Sequence, residues 1–459
     1  MNEPLTLRAF SDLPQMKARL VSKGLSPPES ENKAEIFLAC AKALRTSGLD
    51  DGAAVSAFFI PGRIEILGKH TDYAGGRSII AAAEKALCVV AAKRQDNTVR
   101  ILDIATGEQV EFKISDNPNP QPGHWANYPM TVARRLAKNF PGLLFGAEIA
   151  FAGDLPPAAG MASSSAMIVG FFLALSAFND LTSREEYHNN ISSSTDLAAY
   201  LATVENGQTF GTLAGDKGVG TFGGSEDHTA ILCCQANILS QYSYHPVRLE
   251  RTVKFPSGHV FVIASSGVVA EKTGAAMEKY NRASMLCQRA VRIWNKTTKR
   301  ADPHLAAALA STPTAPNHLQ NILQQAGDKK FSPEELLKRL EHFLAESEQI
   351  VPAAGTALAA GDLAEFDRQV TRSQQLAETL LGNQVPETVF LARCACDLGA
   401  VAASAFGAGF GGSVWALMKA DGAKQFLKKW SALYKRQFPT PAANTVFLLT
   451  HPGPAAFEL

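Results

Sequence analysis

Ionisable side chains crowd one short stretch of the sequence, residues 61–76, which reads PGRIEILGKHTDYAGG. Within ten residues it holds an arginine, a lysine, a histidine and an aspartate, namely Arg63, Lys69, His70 and Asp72. Such groups can bind anions or move protons, and loops positioned by a rigid sheet often carry them. A solvated turn between two strands explains the composition equally well, so both interpretations stay open at this point.

A run of small residues, GDLPPAAGMASSSA at 153–166, leads directly into the apolar helix predicted for MIVGFFLALSAF. Small side chains let the backbone approach a ligand closely, and the unpaired N–H groups at a helix start bind anions. The stretch lacks the GK[ST] ending of a Walker A loop. The pattern favours phosphate as the ligand, although serines that simply cap a buried helix would look the same.

Two further segments are weaker candidates. FGAGFGGS at 406–413 has four glycines in six residues, which permits close backbone approach, but a helix end followed by a tight turn has the same composition. GGSEDHT at 223–229 places Glu226, Asp227 and His228 side by side, which is more often a capped turn than an acid–base pair. Neither segment has a metal-ligand spacing such as HExxH.

The elements that must position these segments mix helices and strands without a regular βαβ order. A helical pattern ends near residue 49, five short apolar or β-branched runs follow between 53 and 115, and a loop is predicted at 117–123. After a weak stretch near 245 we predict the strands HVFVIASSG and SVWALM and, between them, helices around 270–296, 333–350 and 361–381. This order predicts an α+β fold with a lobe boundary at about residue 245.

The composition excludes several functional classes. The 459 residues carry 44 basic and 43 acidic side chains, so the long-range field that nucleic-acid binding needs is missing. The seven cysteines form no CxxC pair, which argues against a disulfide framework or a zinc knuckle and fits reduced thiols in the cytoplasm. We read no signal peptide and no apolar stretch long enough to span a bilayer, so a cytoplasmic protein without a nucleic-acid or membrane partner is expected.

In their order and spacing, the four segments resemble the GHMP small-molecule kinases, and most closely the galactokinases. Residues 61–76 resemble the galactokinase sugar signature, LPPAAGMASSSA the ATP-phosphate loop, and FGAGFGGS the third, glycine-rich motif; GAAMEKYNRAS and LAETLLGNQVPET resemble two further family segments. The resemblance covers residues 58–418. It implies a two-lobed α+β GHMP kinase fold, with an N-terminal lobe like ribosomal protein S5 domain 2 and a ferredoxin-like C-terminal lobe. The expected domains are an N-terminal helical extension at 1–50, the first lobe at 51–245 and the second lobe at 246–459.

The resemblance also implies roles for individual residues. Asp227 matches the catalytic aspartate and Arg63 the arginine that pairs with it. Residues matched to sugar binding are Lys69, His70, Asp72 and Tyr280. Residues matched to ATP-phosphate binding are Gly160, Ser163, Ser164 and Ser165. Ser165 and Glu205 match the residues that hold Mg²⁺, so the implied ligands are a sugar, ATP and Mg²⁺, with a monomer or weak dimer as the expected state.

Two departures from the galactokinase pattern fall in the part that selects the sugar. Lys69 stands where the family usually has the glutamate of GEHTDY, and Glu65 stands where it more often has asparagine. The two side chains can pair with each other, or Lys69 can face an acidic substituent such as that of a uronic acid. A longer stretch at 209–220 is either a flap over the nucleotide or a neutral insertion.

The expected function is an ATP-dependent sugar 1-kinase with galactose as the leading acceptor. A kinase for another sugar or for a uronic acid such as galacturonate is the first alternative. A non-catalytic sugar and ATP sensor is the second, although retention of the matched catalytic and Mg²⁺ residues argues against it.

Overall fold

The computed structural model describes residues 5–115, 123–142, 145–156, 159–268 and 275–459. Parts of four predicted segments therefore lie outside the described residues: the first residues of the N-terminal extension, most of the loop at 117–123, positions 157–158 of the small-residue run, and the first residues of the helix predicted around 270–296. Helices and strands alternate irregularly along the described chain, which confirms the predicted α+β class.

The strands of the described chain are β1 (Ser56–Leu67), β2 (Arg77–Lys93), β3 (Thr98–Asp103), β4 (Gln109–Lys113), β5 (Ala147–Gly153), β6 (Ile238–Ser243), β7 (Arg248–Lys254), β8 (His259–Ser265), β9 (Ala402–Phe406), β10 (Ser413–Lys419), β11 (Phe447–Thr450) and β12 (Phe457–Glu458). They form a larger sheet in the order β12-β1-β2-β5-β3-β4, with β6 beside β2 and β7 beside β6, and a smaller sheet in the order β11-β8-β10-β9.

The α-helices of the described chain are α1 (Leu13–Ser22), α2 (Pro27–Thr46), α3 (Asn127–Asn139), α4 (Ser163–Phe178), α5 (Glu185–His188), α6 (Ser194–Asn206), α7 (Glu226–Cys233), α8 (Ala275–Thr298), α9 (Leu305–Ala310), α10 (Ala315–Gln324), α11 (Pro333–Phe343), α12 (Val351–Ala360), α13 (Leu363–Leu376), α14 (Pro386–Asp397) and α15 (Ala420–Gln437). A π-helical segment, Leu344–Ile350, joins α11 to α12. The helices predicted around 270–296, 333–350 and 361–381 are confirmed in type and position. No helix in the described ranges is both long and apolar enough to cross a bilayer.

Strand β2 corrects one detail of the sequence analysis, which predicted two strands, RSIIAAA and ALCVVAAKR, with a break between them. The charged pair Glu84 and Lys85 stays within a single strand because both side chains have partners at its edge. Glu84 accepts a hydrogen bond from the backbone N–H of Ser26 at 2.7 Å, and Lys85 Nζ contacts Glu29 at 2.7 Å and Asp154 at 3.0 Å. Charges that would mark a turn in an exposed chain are neutralised here by neighbouring elements.

The larger sheet also takes strands from beyond the predicted lobe boundary. Strand β7 pairs with β6, and β12 at the C-terminus pairs with β1 through Phe59 and Phe457. The phenyl rings of that pair stack at 4.9 Å between centroids. The division of the chain at residue 245 remains a prediction, but the second half of the sequence contributes to the first sheet.

The N-terminal helices cover one face of the larger sheet. Phe10 and Phe37 pack with their ring centroids 6.2 Å apart, in a cluster that includes Phe59 and Val90 from β1 and β2. Lys33 of α2 is fully buried, and its Nζ contacts Asp154, which follows β5, at 2.8 Å. The extension is therefore part of the core and also holds the chain where it enters the small-residue run.

Replacing Phe37 by alanine should lower the free energy of unfolding by about 3–5 kcal/mol, because it removes a fully buried ring from this cluster. Denaturant unfolding monitored by circular dichroism measures the change. The matched control is Val21→Ala on α1, whose side chain is 41% exposed and should shift the value by less than about 0.5 kcal/mol. Equal losses in the two variants would mean that the extension does not stabilise the sheet.

The stretch at 209–220, predicted to be either a flap or a neutral insertion, packs against helix α3. Arg134 donates to the carboxylate of Asp216 at 2.7 Å, and Lys138 donates to the carbonyl of Gly215 at 2.6 Å. Asn139 donates to the carbonyl of Ala214 at 3.0 Å. These bonds fix the stretch to a helix whose first turn borders the cavity described below.

Candidate active site

A buried ion pair lies at the centre of the site. Strand β1 carries Arg63, and the first turn of α7 carries Asp227. Arg63 donates from Nε to Asp227 Oδ1 at 2.7 Å, its Nη2 lies 2.6 Å from the same oxygen, and its Nη1 donates to the carbonyl of Gly160 at 3.1 Å. The two residues that the family resemblance paired are therefore in direct contact, although 164 positions separate them.

The start of α4 reaches the same ion pair. Ala162 stands at the N-cap position with a left-handed φ of 62° and offers no capping side chain, so the serines do not act as a simple N-cap. Ser165 donates to Glu205 Oε2 at 2.8 Å and its Oγ lies 3.5 Å from Asp227 Oδ2, while Ser164 donates to Glu205 Oε1 at 3.3 Å. The helix entrance and the aspartate can thus share one ligand.

Two adjoining cavities meet at this point. The outer cavity, of about 340 Å³, is lined by Ser163, Ser164, Gly160 and the first turn of α3, and the inner cavity by Glu65, His70, Asp72, Ser165, Glu226 and Tyr280. Arg63, Glu205 and Asp227 line both. This layout suits a reaction between two ligands, one in each cavity, because the charged groups lie where the cavities join.

The glycine-rich segment FGAGFGGS closes over the small-residue run. A Cβ built on Gly160 would lie 3.2 Å from the carbonyl oxygen of Phe406, and one built on Gly407 would lie 3.1 Å from the carbonyl oxygen of Gly160. Both glycines have φ values in the left-handed region, 73° and 81°. The two backbones therefore approach each other at a distance that disfavours larger residues, and together they form one wall of the outer cavity.

His70 and Asp72 lie in the inner cavity together with Tyr280, which comes from the distant helix α8. The His70 and Tyr280 rings are 5.3 Å apart between centroids, and His70 adopts a left-handed φ of 58°. Asp72 accepts hydrogen bonds from the backbone N–H groups of Tyr73 at 2.8 Å and Glu226 at 3.2 Å. A non-glycine residue held in this backbone region at a cavity wall is typical of functional sites.

Acidic groups dominate the inner cavity. Burial acts to lower the pKa of Arg63, but the charges of Asp227, Glu226 and Glu65 outweigh it, so the pKa of this guanidinium is raised. Burial raises the pKa of Glu65, only partly opposed by the positive charges of Arg63 and Lys69. Burial, reinforced by the charge of Glu65, holds the pKa of Glu226 well above its ordinary value. The arginine therefore stays charged while its acidic neighbours compete for it.

The site has counterparts in known proteins. The family described as GHMP kinases N terminal domain matches residues 127–215, GHMP kinases C terminal matches 356–436, and the galactokinase galactose-binding signature matches 51–93. The chain has the domains of a GHMP kinase.

Relatives of similar length agree with this result. The chain is 27% identical over 378 residues to the galactokinase of Chloroflexus aggregans, which covers 82% of this chain and 86% of that one. It is 24% identical to the galactokinase of Actinobacillus pleuropneumoniae serotype 5b, with 82% and 88% covered. The crystal structure of Lactococcus lactis galactokinase complexed with galactose superposes with a TM-score of 0.72 at 22% identity, covering 88% of this chain and 95% of that one. The predicted resemblance to GHMP kinases, and among them to galactokinases, is confirmed, as is the fold.

Lys69 is the predicted site residue that the structure places elsewhere. Its side chain is 1% exposed, and Nζ donates to Ser373 Oγ at 3.0 Å and to Ser404 Oγ at 2.8 Å, outside the lining of both cavities. The structure thus contradicts the prediction that Lys69 contacts the acceptor. The predicted direct pairing of Lys69 with Glu65 is replaced by hydrogen bonds from the ammonium to the two serine hydroxyls. The charge of Lys69 acts on Glu65 only from a distance, where it partly opposes the rise in the pKa of Glu65.

Sequence analysis missed the residues that border the far end of the outer cavity. His124, Trp125 and Tyr128 lie at the start of α3, and Trp125 Nε1 donates to Glu108 at 2.8 Å. The Trp125 ring also packs edge-on against Phe151, with centroids 5.3 Å apart. The signal in the sequence was the aromatic pair Trp125 and Tyr128 directly after the predicted loop at 117–123. The helical spacing of the pair indicated only a helix face packed against the core.

The pair Ser165 and Glu205 fits a hard divalent cation. Both supply oxygen, Glu205 is 7% exposed, and its carboxylate lies at the junction of the two cavities. Among the described residues no group of three or more His, Cys, Asp or Glu side chains could hold a metal ion by itself. Mg²⁺ is commonly held by one or two protein oxygens together with substrate phosphates, and this pair offers such oxygens.

Proposed function

We propose that this GHMP kinase transfers the γ-phosphoryl group of ATP to the anomeric hydroxyl of galactose. The observation that carries the proposal is the contact of Asp227 with both Arg63 and Ser165, since it brings the helix entrance, the carboxylate and the junction of two cavities together. The galactokinases among its relatives and the galactose-binding signature support the choice of acceptor.

In this proposal the nucleotide phosphates occupy the outer cavity. The backbone N–H groups at the start of α4 and the hydroxyls of Ser163 and Ser164 would donate to phosphate oxygens. Gly160 and Gly407 leave room for the phosphates because neither has a side chain. The aromatic residues Trp125 and Tyr128 would contact the base at the other end.

The sugar would lie in the inner cavity, with its anomeric hydroxyl facing Asp227. Asp72, His70 and Tyr280 would contact the ring and its hydroxyls. As the oxygen–phosphorus bond forms and ADP leaves, the hydroxyl proton passes to, or is held by, the carboxylate of Asp227. Arg63 keeps that carboxylate ionised and offsets charge on the transferring group, so positioning and electrostatics account for most of the catalysis.

Ser165 and Glu205 would hold Mg²⁺, which when bound neutralises charge on the phosphate oxygens. Glu205 accepts hydrogen bonds from Ser164 and Ser165, so those hydroxyls are directed toward the junction.

The proposal is tested by ADP release with a panel of aldoses and uronates. We expect turnover with galactose, and binding of galactose should raise the melting temperature through linkage. A protein that releases no ADP with any sugar of the panel, while still binding ATP, would contradict the proposal.

Galacturonate should be a poor acceptor. Among the described residues that line the inner cavity, Arg63 is the one permanent cation, because Lys69 is held by Ser373 and Ser404, and the cavity already contains Glu65, Asp72 and Glu226. Like charges at close range cost several kcal/mol at low effective dielectric, so we expect kcat/KM for galacturonate at least about 10²-fold below that for galactose. The same coupled assay measures both sugars, with glucuronate as the matched acidic control.

A further inference from the structure

Two glutamates meet beside the Arg63–Asp227 ion pair. Glu65 follows Arg63 by two positions on β1, so both side chains leave the same face of the strand. Glu226 begins α7, directly before Asp227, and both glutamates lie against the same guanidinium, with Glu226 Oε1 3.5 Å from Arg63 Nε and Glu65 Oε2 3.8 Å from Arg63 Nη2. Both glutamates are 4% exposed, and both line the inner cavity.

One guanidinium faces all three carboxyl groups. Its nitrogens lie 2.6 and 2.7 Å from Asp227, 3.5 Å from Glu226 and 3.8 Å from Glu65. If all three carboxyl groups were ionised, the buried cluster would hold three negative charges against one positive charge. An uncompensated buried charge is strongly destabilising, so the fully ionised cluster is disfavoured.

One oxygen of the pair lacks a donor. Glu65 Oε1 is buried and accepts no hydrogen bond from any nitrogen or hydroxyl of the described residues. The carboxyl of Glu226, which shares Arg63 with it, can supply a donor only when one of the two acids is protonated. A single proton between them satisfies this oxygen and removes one negative charge from the cluster.

We propose that Glu65 and Glu226 hold one proton between them at neutral pH, and that this proton keeps Arg63 directed at Asp227. The pair is a positioning device, and its effect on turnover rests on the function proposed above for Arg63 and Asp227.

The surroundings of the pair agree with this assignment. The charged and titratable groups that face it are Arg63, Lys69, Asp72, Asp227, Tyr244 and Cys234. Burial raises the pKa of Cys234 to about 12 and holds that of Tyr244 well above its ordinary value, so neither group ionises near neutral pH. Burial and mutual repulsion likewise raise the pKa values of Glu65 and Glu226, as expected for two acids that share a site.

The sign of the pH effect follows from this proton. The pair keeps it below its raised pKa and loses it as the pH rises above that value. Three carboxylates then compete for Arg63, so the guanidinium is drawn away from Asp227. Turnover should therefore fall on the alkaline side.

Infrared spectroscopy tests the proton directly and does not depend on turnover. We expect the carbonyl band of a protonated carboxyl group in the wild-type protein at neutral pH, and its loss in both Glu65→Gln and Glu226→Gln. Glu84→Gln is the matched control, because Glu84 is equally buried, but nearby His451 at 3.8 Å and a hydrogen bond from the backbone N–H of Ser26 outweigh its burial and lower its pKa. Absence of the band from the wild type, or its survival in both variants, would overturn the proposal, whether or not the protein phosphorylates galactose.

Kinetics test the positioning role. We expect the wild-type kcat/KM for galactose to be about tenfold lower at about pH 9 than at about pH 7, and the drop to be at most about threefold in Glu65→Gln. The amide of that variant donates to Glu226 at every pH and so replaces the shared proton permanently. An identical alkaline fall in the two proteins would rule out the positioning role, and equal melting temperatures would show that both are folded.

Discussion

Asp227→Asn should lower kcat with galactose and ATP by about 10³-fold while leaving nucleotide binding within about threefold of the wild type. The amide is nearly isosteric but cannot take the hydroxyl proton. The fold should tolerate it, because Arg63 keeps Glu226 at 3.5 Å and Glu65 at 3.8 Å as neighbouring carboxyl groups. Rapid-quench measurement of ADP formation separates the chemical step from product release, and calorimetry measures ATP binding.

Asp397→Asn is the matched control for this variant. Asp397 ends helix α14 at an exposed position outside the lining of both cavities, and its substitution should leave turnover and stability unchanged. Turnover of Asp227→Asn within about threefold of the control would remove Asp227 from the proposed mechanism. A loss of ATP binding equal to the loss of turnover would assign it instead to holding the nucleotide.

The short-range features of this site could be predicted from sequence because they depend on local composition. Glycines and serines before an apolar run predict a helix start that favours phosphate as a ligand, and α4 does begin at Ser163. The strand type of β10 and the helices of the second lobe follow from apolar periodicity in the same way. For the pairing of Arg63 with Asp227, resemblance to a family was needed, since no local pattern connects residues 164 positions apart.

The features that sequence could not predict depend on tertiary burial. Lys69 lies in a segment that suggests a binding loop, yet its ammonium is directed to Ser373 and Ser404, which are 304 and 335 positions away. The meeting of Glu65 with Glu226 has the same origin, because one lies on a strand and the other begins a helix. The acidity of the inner cavity therefore became evident only from the fold.

Glu205→Gln should raise the Mg²⁺ concentration that gives half-maximal turnover by on the order of 10²-fold. This is the second large effect that we expect. A carboxylate next to a divalent cation contributes several kcal/mol at the effective dielectric of a partly buried site, and a water ligand recovers only part of that loss. The glutamine can still accept from Ser165, so the start of α4 should keep its conformation. The measurement is a titration of initial velocity with Mg²⁺ at saturating ATP.

Glu185→Gln, at an exposed position on α5, is the control for removal of one negative charge and should leave the titration unchanged. Ser165→Ala provides a sharper test, because Ser165 and Glu205 are proposed to hold the same ion. Substitutions of two residues that bind one ligand should have non-additive effects. Ser165→Ala should therefore raise the Mg²⁺ concentration for half-maximal turnover by a smaller factor in the Glu205→Gln background than in the wild type. Full additivity would mean that the two side chains act on different steps. Only one of them could then be assigned as a Mg²⁺ ligand.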